Sequence, residues 1–343
     1  MQEIFMVGEQ RSGSNLLRLI LNESGNVAAP HPPHILQRMM PLLPVYGDLE
    51  DEKNFSQLVD DVCKLVELNP VPWVIGKLDR NDVRSRCLRN NLVAIFGAVM
   101  DIYAEQHNAN AWMCKSMQNI RWANDLNQYF SHPKYIYLYR DPRDVALSFT
   151  KAVIGEKHPF FITQQWVELQ KLCLAQRENL GADQFFSLCY EDLTNNPHQT
   201  VENLCRFLGI DFSESMLKFH NSNEAIRSAN SSQLWENLVK PISSTNSKKY
   251  LNELSEADIR IIESVAGKVM DKLGYERSMV LKDDEVMFES DNVYQFQKIN
   301  DKLKSEKAKK IDADDLKRRK KQTSFIDNII SRNPRLKLQL RPG

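Results

Sequence analysis

One stretch near the start of the chain limits the possible folds more than any other: Ile4-Phe-Met-Val-Gly-Glu-Gln-Arg-Ser-Gly-Ser-Asn-Leu-Leu-Arg-Leu-Ile-Leu21. Residues 4–7 read as a short apolar strand, residues 8–13 as a tight polar turn, and the residues from Ser14 onward as an amphipathic helix. A strand that turns straight into a helix leaves the first amides of that helix without intrahelical partners, at the positive end of its dipole. Such a corner attracts anions. The plain alternative is a Gly/Ser turn that holds no ligand.

Gly8 and Gly13 have the G-x-x-x-x-G spacing of a phosphate-binding loop. The next two residues do not suit a magnesium-dependent nucleotide triphosphatase. Ser14 and Asn15 stand where Lys and then Ser or Thr would be, so the lysine for the terminal phosphates and the hydroxyl for magnesium are both missing. The cation lies inside the loop instead, at Arg11. The pattern predicts a phosphate or sulfate cradle that works without metal.

With 343 residues and 42% hydrophobic content, the chain can build one large domain or two small ones around a sizeable core. Its 45 basic and 45 acidic residues cancel, which removes a long-range pull toward nucleic acid. The cysteines at 63, 87, 114, 173, 189 and 205 are scattered and form no C-x-x-C pair, a pattern of reduced buried thiols rather than of disulfides or a metal site. No stretch is apolar for long enough to span a bilayer, and no basic region followed by a long apolar run opens the chain. A cytoplasmic enzyme or binding protein is expected.

Past the first helix, Ala28-Ala-Pro-His-Pro-Pro-His-Ile35 cannot be helical through its prolines. It is expected as a stiff loop folding back toward the ligand end of the sheet, with His31 and His34 able to take a proton near neutral pH. The Met-, Leu- and Pro-rich residues 35–46 suit either the wall of an apolar acceptor pocket or ordinary core. Helices are expected over 51–69 and 88–106, the second with Leu88, Leu92, Ile95, Phe96, Val99 and Tyr103 as its core stripe. A short strand over 111–116 carries Lys115 at its end, which would stand beside the 8–13 loop if that strand neighbours the first.

Lys134-Tyr-Ile-Tyr-Leu-Tyr139 followed by Arg140-Asp-Pro-Arg-Asp-Val-Ala-Leu-Ser148 predicts a second strand-to-helix corner. Asp141 is a natural N-cap, Pro142 suits the first helical position, and Asp144 completes a capping-box-like pattern. Arg140 at the junction and Ser148 two turns along suit an anion lying against the helix. A further strand over 184–190 leads through Glu191-Asp-Leu-Thr-Asn-Asn-Pro197 into a helix that stops at Gly209. Strands alternating with helices predict an α/β fold: a P-loop-like parallel sheet flanked by helices, with a helical C-terminal extension.

Three of these elements resemble, in order and spacing, the motifs of sulfotransferases dependent on 3′-phosphoadenosine 5′-phosphosulfate (PAPS). Gln10-Arg-Ser-Gly-Ser-Asn-Leu16 resembles the family's 5′-phosphosulfate loop, and Tyr139-Arg-Asp-Pro-Arg-Asp-Val-Ala-Leu-Ser148 its 3′-phosphate motif. Leu188-Cys-Tyr-Glu-Asp-Leu-Thr-Asn-Asn-Pro197 resembles its Tyr-Glu-Asp segment, whose tyrosine approaches the adenine. The resemblance implies PAPS as co-substrate, no metal, and cofactor contacts from Gln10, Arg11, Ser12, Gly13, Ser14, Asn15, Arg140, Ser148 and Tyr190. Arg11 stands where many members have Lys, as in the branch that includes tyrosylprotein and many bacterial sulfotransferases. Arg11 and Lys115 are the groups expected to stabilise charge on the bridging oxygen of the departing 5′-phosphate.

The cytosolic branch takes its base from a Lys-Thr-His segment; here the segment reads Lys115-Ser-Met117 and has no His. In the tyrosylprotein-like branch the base is a carboxylate about twenty residues beyond the loop Arg, and this chain has His31 there. His31 is therefore the expected general base, and His34 the next candidate. Leu238-Val-Lys-Pro-Ile242 and Ser247-Lys-Lys-Tyr250 resemble a segment of that branch which reaches back to the cofactor, with Lys249 as the better match and Lys240 as the second. A last amphipathic helix is expected over 255–273.

The expected organisation is a sulfotransferase domain over 1–276 and a basic, helical extension over 277–343, with Lys317-Arg-Arg-Lys-Lys321 as its densest run. That extension is either a solvated helix with a mobile tail or a contact for an anionic partner, such as a membrane surface, an acidic acceptor or another subunit. The expected reaction moves the sulfuryl group of PAPS to the hydroxyl of a small-molecule acceptor. A lipophilic alcohol, such as a sterol or lipid, is favoured over a sugar or phenol, and no nucleic-acid partner is expected. The alternatives are a P-loop-like kinase or nucleotide-binding protein, and an inactive protein that binds PAPS or its desulfated product PAP.

Overall fold

In the computed structural model, which describes residues 1–231 and 233–333, five parallel strands form one sheet. They are β1 (Gln2–Gly8), β2 (Val27–Ala28), β3 (Ala111–Cys114), β4 (Lys134–Tyr139) and β5 (Phe185–Cys189), in the order β2-β3-β1-β4-β5. The central strand β1 pairs with β3 from Gln2 opposite Ala111 to Phe5 opposite Cys114, and with β4 from Ile4 opposite Lys134 to Gly8 opposite Leu138.

The period of two along β1 explains the layers. Ile4 and Met6 point into one apolar cluster with Leu17, Ile20 and Leu204, from the Ser14–Asn22 and Pro197–Leu208 helices. Phe5 and Val7 point into the other, where Phe5 meets the rings of Trp112 at 5.3 Å and Tyr135 at 5.5 Å. Helices Leu92–Gln106, Pro159–Asn179 and Glu256–Leu273 cover that face. Both faces of β1 are thus dry, as its unbroken apolar run requires. Burial of each such side chain stabilises the fold by about 1.5–3 kcal/mol.

Because all the strands run the same way, the turns after β1, β3, β4 and β5 leave the same edge of the sheet. Residues 8–13, Lys115, Arg140 and Tyr190 are gathered there by topology.

Several expectations are corrected. The 88–106 helix begins only at Leu92, because the Asn91 side chain caps it by accepting from the Ala94 amide at 2.8 Å; Leu88 lies outside, 87% exposed. Among residues 35–46, Leu36, Met39 and Leu42 are buried in the core, so their apolar character serves packing and not a pocket. Asp144 does not close a capping box with the start of its helix. Its carboxylate accepts from the amides of Lys248 at 2.7 Å and Tyr250 at 3.1 Å instead, while the Asp141 amide donates to Glu191 Oε1.

The extension is two helices, Ser290–Ala308 and Ala313–Ser331, docked on the body. Asn300 Oδ1 accepts from the amides of Lys157 and His158, and Gln322 donates to the carbonyl of Leu65 at 2.9 Å. Ile329 is fully buried and Arg332 pairs with Asp61. The helix carrying the basic run is therefore anchored; the tail expected beyond residue 333 lies outside the described residues. All six cysteines are free thiols. No helix among the described residues is long and apolar enough to cross a membrane.

Candidate active site

The first corner depends on two glycines. Gly8 has φ +128° and lies so close to β4 that a Cβ there would sit 2.3 Å from the Leu138 carbonyl oxygen. Gly13, the N-cap of the Ser14–Asn22 helix, has φ +88°, and a Cβ would sit 2.5 Å from the Tyr190 ring. Between them Arg11 also takes a left-handed conformation, φ 68°, which costs a side chain about 1–3 kcal/mol. That geometry directs Arg11 Nε to Ser148 Oγ, 2.9 Å away.

The second corner begins where β4 ends. Asp141 caps its helix by accepting from the Arg143 amide at 2.9 Å, with Pro142 in the first turn. Arg140 is buried, donates to the Arg11 carbonyl at 2.9 Å and to the Asn246 carbonyl at 2.5 Å, and lies over the Tyr190 ring at 4.4 Å. Its own carbonyl accepts from Trp166 Nε1 at 3.2 Å. The Asp144 carboxylate, in taking up the Lys248 and Tyr250 amides, holds Lys249 between them at the rim.

These groups enclose a cavity of about 1040 Å³ lined by Arg11, Gly13, Ser14, Asn15, Arg140, Ser148, Tyr190, Lys240 and Lys249. Burial and the neighbouring Arg140 push Arg11 down to about 10. Ser12 lines neither this cavity nor its neighbour: its hydroxyl is turned into the protein and has no partner. Gln10 lines the neighbour only.

That neighbour is a pocket of about 150 Å³, sharing Arg11, Ser14 and Asn15 with the first. Lys115 lines it, as the pairing of β3 with β1 allows. Burial, then Arg18 and Arg11, hold the Lys115 ammonium down to about 7. His31 and His34 line it too. His31 Nε2 is 3.0 Å from Ser228 Oγ and 3.2 Å from Arg18 Nη2, its Nδ1 has no partner, and burial with Arg18 and Lys115 pulls its pKa far down. His34 Nδ1 is also without a partner, and burial and Arg38 lower that ring to about 3. Both shifts favour the neutral imidazole and at the same time weaken it as a proton acceptor.

The family model of the sulfotransferase family matches residues 3–214. The chain belongs to the sulfotransferase family. A candidate protein-tyrosine sulfotransferase of Caenorhabditis briggsae is 25% identical over 214 residues, 59% of this chain and 74% of that protein. A sulfotransferase domain from the curacin biosynthetic pathway shares the fold, with a TM-score of 0.55 at 21% identity over 81% of this chain and 99% of that one. The sulfotransferase domain of the Synechococcus PCC 7002 olefin synthase aligns at a TM-score of 0.49 and 23% identity, over 78% and 94%.

The protein is therefore an enzyme of sulfuryl transfer, in a family that generally uses PAPS as donor. The site fits such a donor: the large cavity is lined by fixed cations and the N-terminus of a nine-residue helix, and Arg140 Nε and Asn15 Oδ1 are buried beside it without partners.

Some residues of this sulfotransferase site were not foreseen from sequence. Arg18 is fully buried and donates to the Ala29 carbonyl, Glu224 and Ser228 besides touching His31. A lone arginine inside the apolar run 16–21 is its trace in the sequence, since arginine is almost never fully buried unpaired. Trp235 stands 5.1 Å from the His31 ring. Arg38, Arg319 and Gln322 line the small pocket, and Asp315 and Arg318 the large cavity. The last four come from the Ala313–Ser331 helix, outside the residues matched by the family model; the basic run 317–321 marked Arg318 and Arg319 as a possible anion contact but not as part of this site.

Proposed function

We propose that this enzyme transfers the sulfuryl group of PAPS to the hydroxyl of a small-molecule acceptor without a metal ion, with the donor in the large cavity and the acceptor in the small pocket. The observation that carries the reading is the joining of the two corners. Arg140 donates to the Arg11 carbonyl while Arg11 donates to Ser148, so cations for both ends of one adenosine carrier are held in a single connected frame.

PAPS, when bound, supplies a sulfuryl group whose departure leaves negative charge on the bridging oxygen of its 5′-phosphate. Arg11, Lys115 and the amides of Gly13 to Asn15 are assigned to that charge, a donor of this kind being worth about 3–4 kcal/mol. Arg140, Ser148 and Lys249 are assigned to the 3′-phosphate end, and Tyr190, with Arg140 stacked on it, to the base. Ser12 contributes its amide only, and Gln10 faces the acceptor side. Residues 1–276 form the sulfotransferase domain, 277–343 the extension, and the protein is assigned to the cytoplasm.

His31 is assigned as the base, its ring oriented by Arg18, which donates to Nε2 at 3.2 Å, and by Ser228 Oγ at 3.0 Å; His34 is second. A different reading of the proton has one observation behind it: Lys115, at about 7, is partly an uncharged amine at neutral pH and able to accept a proton. The acceptor meets Pro32, Pro33, Val71, Met117 and Ile154, which keeps a lipophilic body in the reading although Leu36, Met39 and Leu42 are core.

The test incubates the protein with labelled PAPS and a panel of sterols, lipid alcohols, sugars and phenols, with and without EDTA. Label transfer that EDTA does not reduce is expected, along with a drop of about 10²-fold or more for His31→Ala. Transfer that requires a divalent ion removes the metal-independent mechanism. Full activity in His31→Ala and His34→Ala removes both imidazoles as base.

A further inference from the structure

The small pocket has an unusual charge balance. Arg11, Arg38, Lys115 and Arg319 all line it, and none of the described residues lining it is an aspartate or glutamate. Arg11, Lys115 and the loop amides are accounted for by the donor's sulfuryl end. Arg38 and Arg319 are not. Arg38 projects from the short Ile35–Met39 helix, one turn after His34, and is half-buried with no carboxylate partner among the described residues. Arg319 comes from a separate element, the Ala313–Ser331 helix.

The position of Arg319 is built rather than incidental. Its Nε donates to Asp315 at 3.0 Å, one turn back, and Asp315 is itself buried. Three residues further along, Gln322 also lines the pocket and ties the helix to the Leu65 carbonyl. Ile329 and Arg332 anchor its far end. Burial and the neighbouring Arg319 lower the pKa of Arg38, so the two guanidiniums interact unfavourably across a space of low dielectric. Asp315 engages Arg319 through Nε only, so two like charges still converge on a pocket whose described lining holds no carboxylate; an anion entering it stabilises them, and guanidiniums donate to carboxylate, sulfate and phosphate oxygens as forks.

We propose that Arg38 and Arg319 form an anion subsite for the acceptor, so that the hydroxyl compound sulfated here carries a carboxylate, sulfate or phosphate group besides its apolar body. This rests on the sulfuryl-transfer reading above and names its substrate class. The anionic group sits between the two arginines, and the apolar wall of the pocket holds the part that joins it to the hydroxyl. A neutral sterol or simple alcohol leaves Arg38 without a counter-charge and Arg319 with Asp315 alone, and is selected against.

The test uses the full chain. Calorimetric titration with PAP comes first; failure of PAP to bind removes the sulfuryl-transfer reading and the subsite with it. PAP-saturated protein is then titrated with probes sharing one hydroxylated skeleton: 4-hydroxyphenylacetate, 4-hydroxyphenyl sulfate, 4-hydroxyphenyl phosphate and the neutral 4-hydroxyphenylacetamide. An aliphatic pair, 3-hydroxydecanoate and its amide, is run alongside. At least one anion is expected to bind tenfold or more tighter than its neutral counterpart, and the ranking of the three groups identifies the anion. Arg38→Gln and Arg319→Gln should each erase most of that preference while PAP affinity stays within twofold, and Arg38→Lys should restore part of it. Arg38 and Arg319 lie on separate helices, so a folding defect in one variant leaves the other to decide. Equal binding of charged and neutral probes, no binding of any anion to PAP-loaded protein, or a preference that survives both substitutions overturns the subsite.

Discussion

The Arg140 guanidinium donates to the carbonyl oxygen of Arg11 at 2.9 Å, so the side chain of one strand-to-helix corner is held by the backbone of the other. Arg11 returns the link through Nε to Ser148 Oγ, on the helix that Arg140 precedes. Neither cation has to be ordered when the donor arrives, and that ordering would otherwise cost about 0.5–1.5 kcal/mol per side chain.

Arg140→Ala is expected to weaken PAP binding roughly 10- to 100-fold, from about 1.5–3 kcal/mol for a hydrogen bond to a charged group. Isothermal titration calorimetry reads this directly. A change below threefold in a folded variant would show that the second corner does not hold the carrier.

Gly13→Ala combines a φ of +88° with a Cβ 2.5 Å from the Tyr190 ring. It should destabilise the protein by about 1–3 kcal/mol from the backbone alone. PAP affinity should fall as well, because Tyr190 must move. Urea denaturation and PAP titration of the same sample check both effects.

Lys115 makes donor binding depend on pH. Its ammonium is held down to about 7 by burial, Arg18 and Arg11, and an anion favours the charged form. Above pH 7 the free protein must therefore take up a proton on binding, and the affinity for PAP should fall as pH rises from 7 to 9, by up to about tenfold per unit. Lys115→Met should be weak throughout and lack this slope. Transfer rates that instead rise through pH 7, in a Lys115-dependent way, would favour the amine as base.

Asp144→Asn keeps the shape of the side chain but not the charge that accepts two amides. A loss of about 1.5–3 kcal/mol in stability is expected. PAP affinity should also fall several-fold, since Lys249 is no longer fixed at the rim. Denaturation and calorimetry together separate this from a change confined to the donor site.

The parts of this molecule that were legible in its sequence are those made by neighbours along the chain. Gly8, Arg11 and Gly13 form one turn; Arg140, Asp141 and Pro142 form another; each announces itself through the rules for strand ends and helix starts. Lys115 is intermediate: its place beside the loop follows once β3 is known to pair with β1, which strand composition alone cannot tell. Asp144 shows the limit. Its spacing fits a helix cap, yet it serves amides a hundred residues away, because the buried carboxylate finds better donors in the 248–250 segment than at its own helix start. Arg18 with Glu224, and Arg38 with Arg319, join distant stretches that share no pattern, so only the folded chain brings them together.

The helix from Ala313 to Ser331 reaches the reaction pocket from outside the residues matched by the family model. The same helix also lines the large cavity through Asp315 and Arg318, so one terminal element borders both compartments. Exchanging that terminal segment between relatives would therefore alter the wall of both compartments at once, while the two strand-to-helix corners stay as they are.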